Sequence, residues 1–294
     1  AGIGFRIKTL WGMTMMDALE SMVRATRPYE VNPGETLRIY QYWIEAVMIQ
    51  AATSHRKALK LLEQAIQAFN EIPVDRSVRK PRVAVLGEIL MKYHPSANGF
   101  VEEYLMEHGM EVIQPGMLDF FRRDELIRLE KVKRGLIQKP FLNWIIGGVS
   151  AALYNKAVKA VEKRLKKFKL YEHQADCYEM ADLIEGMIDR TYVTGEGWLI
   201  PAEILAQAKK GVNSFVIVQP FACLANHISG RGLTKAVKSQ FPHIQVLSLD
   251  YDPDTSLANI ENRLQMLIIN ARELERIHSS SKAAAPKTPE LIEV

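Results

Sequence analysis

Hydrophobic and polar positions change rhythm several times along the chain. Met13, Met16, Leu19, Met22 and Val23 fall on one helical face, which predicts a helix near the start. Arg27-Pro28-Tyr29-Glu30, followed by Pro33 and Gly34, breaks it. A long helical stretch then runs from about Glu35 to Asn70, with a break near Ser54-His55. No strand pattern occurs in residues 1–79, which read as a helical segment. Arg27 and Glu30 are spaced to pair across the helical break.

The rhythm changes at Lys80-Pro81. Arg82 to Gly87 is a short apolar run ended by glycine, as in a buried parallel strand. A polar loop, Glu88 to Asn98, leads to a helix around Gly99 to His108, closed by Gly109. Glu111 to Gln114 is a second strand, completing a β-α-β unit. Residues 117–190 are mainly helical. Within them Lys156 to Lys169 reads as a solvated amphipathic helix, with Val158, Val161 and Leu165 as its apolar positions. Leu199 to Lys210 is a helix, Ser214 to Val218 a strand, Gly232 to Gln240 a helix, Ile244 to Leu249 a strand and Ser256 to Ile277 a long helix.

Buried-type strands that alternate with helices predict an α/β fold with an open, mainly parallel, Rossmann-like sheet. Helices cover both faces, and the N-terminal helical segment is added to it. The expected organisation is a helical segment over 1–79 and the α/β domain over 80–278, with a helical insertion at about 117–190. SSSKAAAPKTP marks 279–294 as a flexible tail.

Composition narrows the function classes. The 294 residues are 48% hydrophobic and 24% charged, which fits a globular chain and excludes a disordered one. A net charge of +4 is no nucleic-acid footprint. Trp144 to Gly148 is apolar but far too short to span a bilayer, so no membrane partner is expected. Two cysteines, Cys177 and Cys223, form no disulfide framework and point to the cytoplasm. The start lacks the order of a signal peptide. It also lacks an initiator Met, as a fragment or a processed form would.

Candidate chemistry follows from topology, because open parallel sheets bind ligands beyond the carboxyl ends of their strands. Glu88, Tyr93, His94 and Asn98 follow the first strand. Gln219, Cys223, Asn226, His227, Gly230 and Gly232 follow the third, and Asp250, Asp252 and Asp254 the fourth. Such loops are also polar for ordinary reasons, with Asp and Ser as helix caps. Cys223 reads as an iron or zinc ligand, as a nucleophile, or as a small buried hydrophobe. Cys223 and His227 are four apart, which on a helix makes half of a zinc site. Cys177 reads as structural. Gly230, Arg231 and Gly232 before Lys235 read as a turn or as a phosphate-binding helix start. Gly195-Glu196-Gly197-Trp198 reads as a tight turn holding a packed indole.

RPYEVNPGET, KPRVAVLGEIL, YHPSAN, GEGW, QPFACLANHISGRG and LDYDPDTS with NRLQML occur in one order. Together they resemble the C-terminal region of the large activase-related proteins of the 2-hydroxyacyl-CoA dehydratase family, over about residues 11–272. The resemblance implies the Rossmann-like layering of the dehydratase subunits. It also implies a [4Fe–4S] or double-cubane cluster that receives low-potential electrons from an ATP-dependent activator module, in anaerobic metabolism. The cysteine of the family's QPFxCLPNH motif falls on Cys223, the ligand candidate. Gln219, Asn226 and His227 would surround it, and Glu88, Tyr93 and His94 would face it. The implied partners are the activator module, an upstream cluster-binding region and an acyl-CoA or other small substrate, with Arg231 and Lys235 available for CoA phosphates. A homodimer through the sheet edges or the helical cap is a further expectation.

Departures from the family pattern are informative. There is no ATPase motif. Ala225 replaces a usual Pro, and DTSLANIEN replaces GASEVNQLN. A cubane takes three or four ligands, so the others would come from upstream sequence or a partner chain. The expected function is therefore a fragment of a dehydratase-like or reductase-like iron–sulfur protein, inactive alone. The alternative is a structural or docking domain without its own cluster.

Overall fold

The computed structural model describes residues 2–254 and 256–284. Three helices open the chain: α1 (Ile3–Thr26), α2 (Glu35–Ala51) and α3 (His55–Glu71). α1 turns Trp11, Met15, Leu19 and Met22 inward against Ala58, Leu62, Ile66 and Phe69 of α3. Ser54 ends the α2–α3 connection by accepting the Lys57 N–H, an N-cap that starts α3 at His55. Glu30 does not bridge to Arg27. Its carboxylate accepts the Gly34 and Thr36 N–H groups at 2.8 Å and caps α2 instead.

The α/β part follows: β1 (Arg82–Gly87), α4 (Ile89–Tyr93), α5 (Val101–Glu107) and β2 (Glu111–Ile113). The helical insertion contains α6 (Leu118–Lys133), α7 (Pro140–Leu165) and α8 (Cys177–Leu183). Then come α9 (Leu199–Lys209), β3 (Ser214–Pro220), α10 (Leu224–Asn226), α11 (Thr234–Gln240), β4 (Gln245–Tyr251) and α12 (Leu257–Ala284). α12 continues past Ile277 to Ala284, into the stretch expected to be a tail. Its residues 285–294 lie outside the described residues.

All strand pairs are parallel, in the order β2-β1-β3-β4. Alternation sorts the side chains of the sheet to two cores. Ala84, Leu86, Phe215 and Ile217 pack with α8, α9 and Trp198. Val83, Val85, Val216 and Val218 pack with α5 and α12 through Leu105, Leu264 and Ile268. Both faces of the two central strands are covered, so β1 and β3 read as nearly unbroken apolar runs. The C-terminal half of α7 joins the N-terminal helices instead, through Ala157 and Val161. Tyr29 Oη donates to Glu111 Oε2 at 2.7 Å and ties that helical unit to β2. No helix among the described residues is long and apolar enough to cross a membrane.

Candidate functional site

The strand order reverses between β1 and β3, and the crevice of an open sheet lies at that switch point. Here β1 and β3 approach closely. Gly87 has φ +125°, and Glu88 N–H donates to Val218 O at 2.9 Å. Glu88 then caps α4 by accepting the Met91 N–H at 2.9 Å.

The segment after β3 supplies most of the polar groups. Gln219, fully buried, donates Nε2–H to Asp250 Oδ1 at 2.6 Å, and Arg231 pairs with Asp250 Oδ2. His227 Nδ1 lies 2.8 Å from the Cys223 carbonyl oxygen, and its Nε2 lies 3.4 Å from Arg231 Nη1. The short contact to the carbonyl oxygen places a proton on Nδ1, with Gln219 Nε2 farther off at 3.4 Å. The ring therefore holds the loop backbone, not the thiol. Gln219 Oε1 is buried without a donor, an open acceptor at the crevice.

Asn226 is fully buried and connects three segments. Oriented to satisfy its neighbours, its amide N–H donates to Glu196 Oε2 at 2.6 Å and its oxygen accepts the Glu88 N–H at 3.0 Å. Glu196 Oε1 also accepts the Ile89 N–H at 3.0 Å. Burial holds the Glu196 carboxyl above the usual carboxylate range. Beneath it Lys92 and Glu203 form a buried ion pair, 3.4 Å apart, beside a void of about 10 Å³. A water fits that volume.

Cys223 stands partly buried before α10, between the exposed side chains of Phe221 and Leu224. Ala222 sits at φ +59°, a conformation that costs a non-glycine residue about 1 kcal/mol or more. Replacing Ala222→Gly is therefore expected to stabilise the chain by about 1 kcal/mol, read as a higher urea midpoint. An unchanged or lower midpoint would show that the turn carries no such strain.

The site thus unites Glu88, Gln219, Cys223, Asn226, His227, Arg231 and Asp250. Three other candidates turn away. Tyr93 commits its Oη–H to the Pro115 carbonyl at 2.7 Å, and it borders the small void beside Lys92 and Glu203 but not the loop after β3. His94 is exposed beside Ser96, and Asn98 braces the α4–α5 connection through Met91 O and Val101 N. Asp252 accepts the Asp254 N–H at 2.9 Å. Gly230 packs near Ile217, and a Cβ on Gly232 would lie 2.5 Å from Ile228 O, so these glycines serve close packing. Lys235 is exposed. Sequence reasoning read Glu196 only as part of a tight turn and passed over Lys92 and Glu203. The signal for Glu203 was a lone acid in the apolar run of α9.

A larger cleft, of about 1120 Å³, lies elsewhere, between the N-terminal helices and the β2 edge. Tyr93 and Asn98 reach it, with Asp17, Arg24 and Asp119. Its acids and bases are evenly mixed.

The donor set limits any metal. Among the described residues no group of three or more His, Cys, Asp or Glu is placed to hold an ion. Cys177 is fully buried, and burial pushes its thiol well above the usual range. One accessible thiol does not fit a cubane held by these residues alone. No protein-family model, curated protein or solved structure matches the chain.

Proposed function

We propose that the chain is a component of a 2-hydroxyacyl-CoA dehydratase-like or reductase-like iron–sulfur protein. In this reading the carboxyl edge of the sheet faces the low-potential cluster, and Cys223 contributes one thiolate. The observation that carries it is the placement of Cys223. The residue follows the end of β3 at the switch point, partly buried, between Phe221 and Leu224, whose side chains are 68% and 66% exposed. Large apolar groups displayed around a thiol suit an edge that another protein segment covers. The remaining ligands then belong to upstream chain or to a partner that receives electrons from the activator. His227, Gln219 and Arg231 would fix the loop that carries the thiol, and Asn226 with Glu196 would fix the floor.

The second reading is a docking domain with no cluster. The lack of a second accessible thiol among the described residues favours it. Iron and acid-labile sulfide, measured after anaerobic reconstitution with a small thiol as co-ligand, separate the two. On the first reading the wild type retains both and Cys223→Ala loses them. Iron absent from both proteins leaves the docking reading.

A further inference from the structure

α7 is built from two unlike halves. The sixteen residues from Pro140 to Asn155 carry no charge, and they span about 24 Å at 1.5 Å per residue. Only one side of this half meets the protein. Asn143 Oδ1 accepts Arg128 Nη1–H at 2.8 Å, and a Cβ on Gly147 would lie 2.8 Å from Leu129 Cδ2. The rest is open: Phe141 is 73% exposed and Trp144 58%, and Leu142, Ile145, Ile146, Val149 and Leu153 are exposed as well.

The exposed positions have an order. Leu142, Ile145, Val149 and Ala152 follow a 3-4-3 spacing, the seam that one helix offers another. Gly148 and Ala152 are small and allow two backbones to approach. The flanking positions Phe141, Ile146 and Leu153 carry no charge, so nothing beside the seam rejects an identical helix. Together the exposed large side chains of this half present about 700–800 Å² of apolar surface. Each partner of a standard interface contributes about 800 Å². The rim is of mixed charge: Arg134 pairs with Glu130 and Asp189 and Lys133 with Glu130, while Lys139 stands exposed before Pro140.

We propose that this face joins two copies of the chain. The two α6–α7 hairpins then form a four-helix bundle around a two-fold axis, independently of the switch-point site. Sedimentation of the whole chain tests it. The wild type is expected to be a dimer at about 20 µM. Ile145→Glu with Val149→Glu should be a monomer with unchanged circular dichroism, since an unpaired carboxylate resists burial. Ile49→Glu, on an exposed position of α2, should leave the dimer intact. Leu142→Gln with Val149→Gln, which adds no charge, should raise the dimer dissociation constant about tenfold or more. A wild type that stays monomeric at about 100 µM would overturn the proposal. So would a dimer that survives both seam variants, or a monomer that pellets with phosphatidylcholine–phosphatidylglycerol vesicles.

Discussion

Gly87→Ala is expected to destabilise the chain by about 4 kcal/mol or more, enough to leave much of it unfolded, since whole domains hold only about 5–15 kcal/mol. Two costs coincide at this residue. Its φ of +125° is nearly closed to residues with a Cβ. A Cβ there would also overlap Val218 O and lie 2.7 Å from Val218 N, both backbone atoms of the central strand β3. Backbone cannot step aside as a side chain tip can, so β1 would have to part from β3. Gly109→Ala separates the two costs. Gly109 has φ +80°, but the nearest atom to its added Cβ is Arg272 Nη2 at 4.0 Å. That variant should lose about 1 kcal/mol. Urea unfolding of the three proteins checks both values. A Gly87→Ala protein within about 1 kcal/mol of wild type would mean that the strands part easily at their ends.

The second large effect is a dependence on pH that runs against habit. Asp17 and Asp119 meet at the start of α6, where Asp17 accepts the Met117 and Leu118 N–H groups at 3.0 Å. Enclosure by the protein raises both carboxyls to about 6, against opposing hydrogen bonds and the nearby Arg24 and Arg122. Both therefore hold a proton more tightly in the fold than in the unfolded chain. Folding binds protons between about pH 4 and 6, so stability is highest below that window and is lost as pH rises through it. His55 opposes this weakly, because partial burial and the nearby Arg56 and Lys156 lower the affinity of its ring for a proton. The cleft also admits water, which tempers the shift. The expected net result is a chain about 2 kcal/mol more stable at pH 5 than at pH 7. Asp17→Asn combined with Asp119→Asn should flatten the difference. Urea midpoints that rise from pH 5 to pH 7 in the wild type would show that other groups dominate.

The sheet was legible because β1 and β3 are buried on both faces and lack alternation. Arg82 to Gly87 could be nothing else once it ended in glycine. Boundaries were less so. The expected helix at Gly99 begins only at Val101, because Gly99 and Phe100 both take left-handed conformations. The polar stretch after β1 forms α4, since Glu88 supplies its cap. That helix is also why the site was only partly legible. Gln219, Asn226, His227 and Asp250 leave the ends of strands in one direction and meet. Tyr93 and His94 ride a helical turn that rotates them away. Glu196 was hidden for another reason. It enters from the turn before α9, far from Glu88 in sequence, and only the packing of that turn against Ile89 and Asn226 gives its carboxylate a role. No local spacing encodes such a meeting.

The strand order sets a schedule for synthesis. β1 pairs with β3 at the centre of the sheet, yet Val83 and its partner Ser214 are separated by nearly half the chain. At about 5–20 residues per second, the ribosome adds β3 on the order of ten seconds after β1. During that interval β1 has only the short β2 beside it, and the backbone N–H and C=O groups of its other edge are unpaired. The N-terminal helices come out first, and Tyr29 reaches Glu111 without waiting for β3. They can shelter one edge of the nascent sheet. The inner edge has no such guard, so a nascent chain arrested just before Ser214 is the species that chaperones would meet most often.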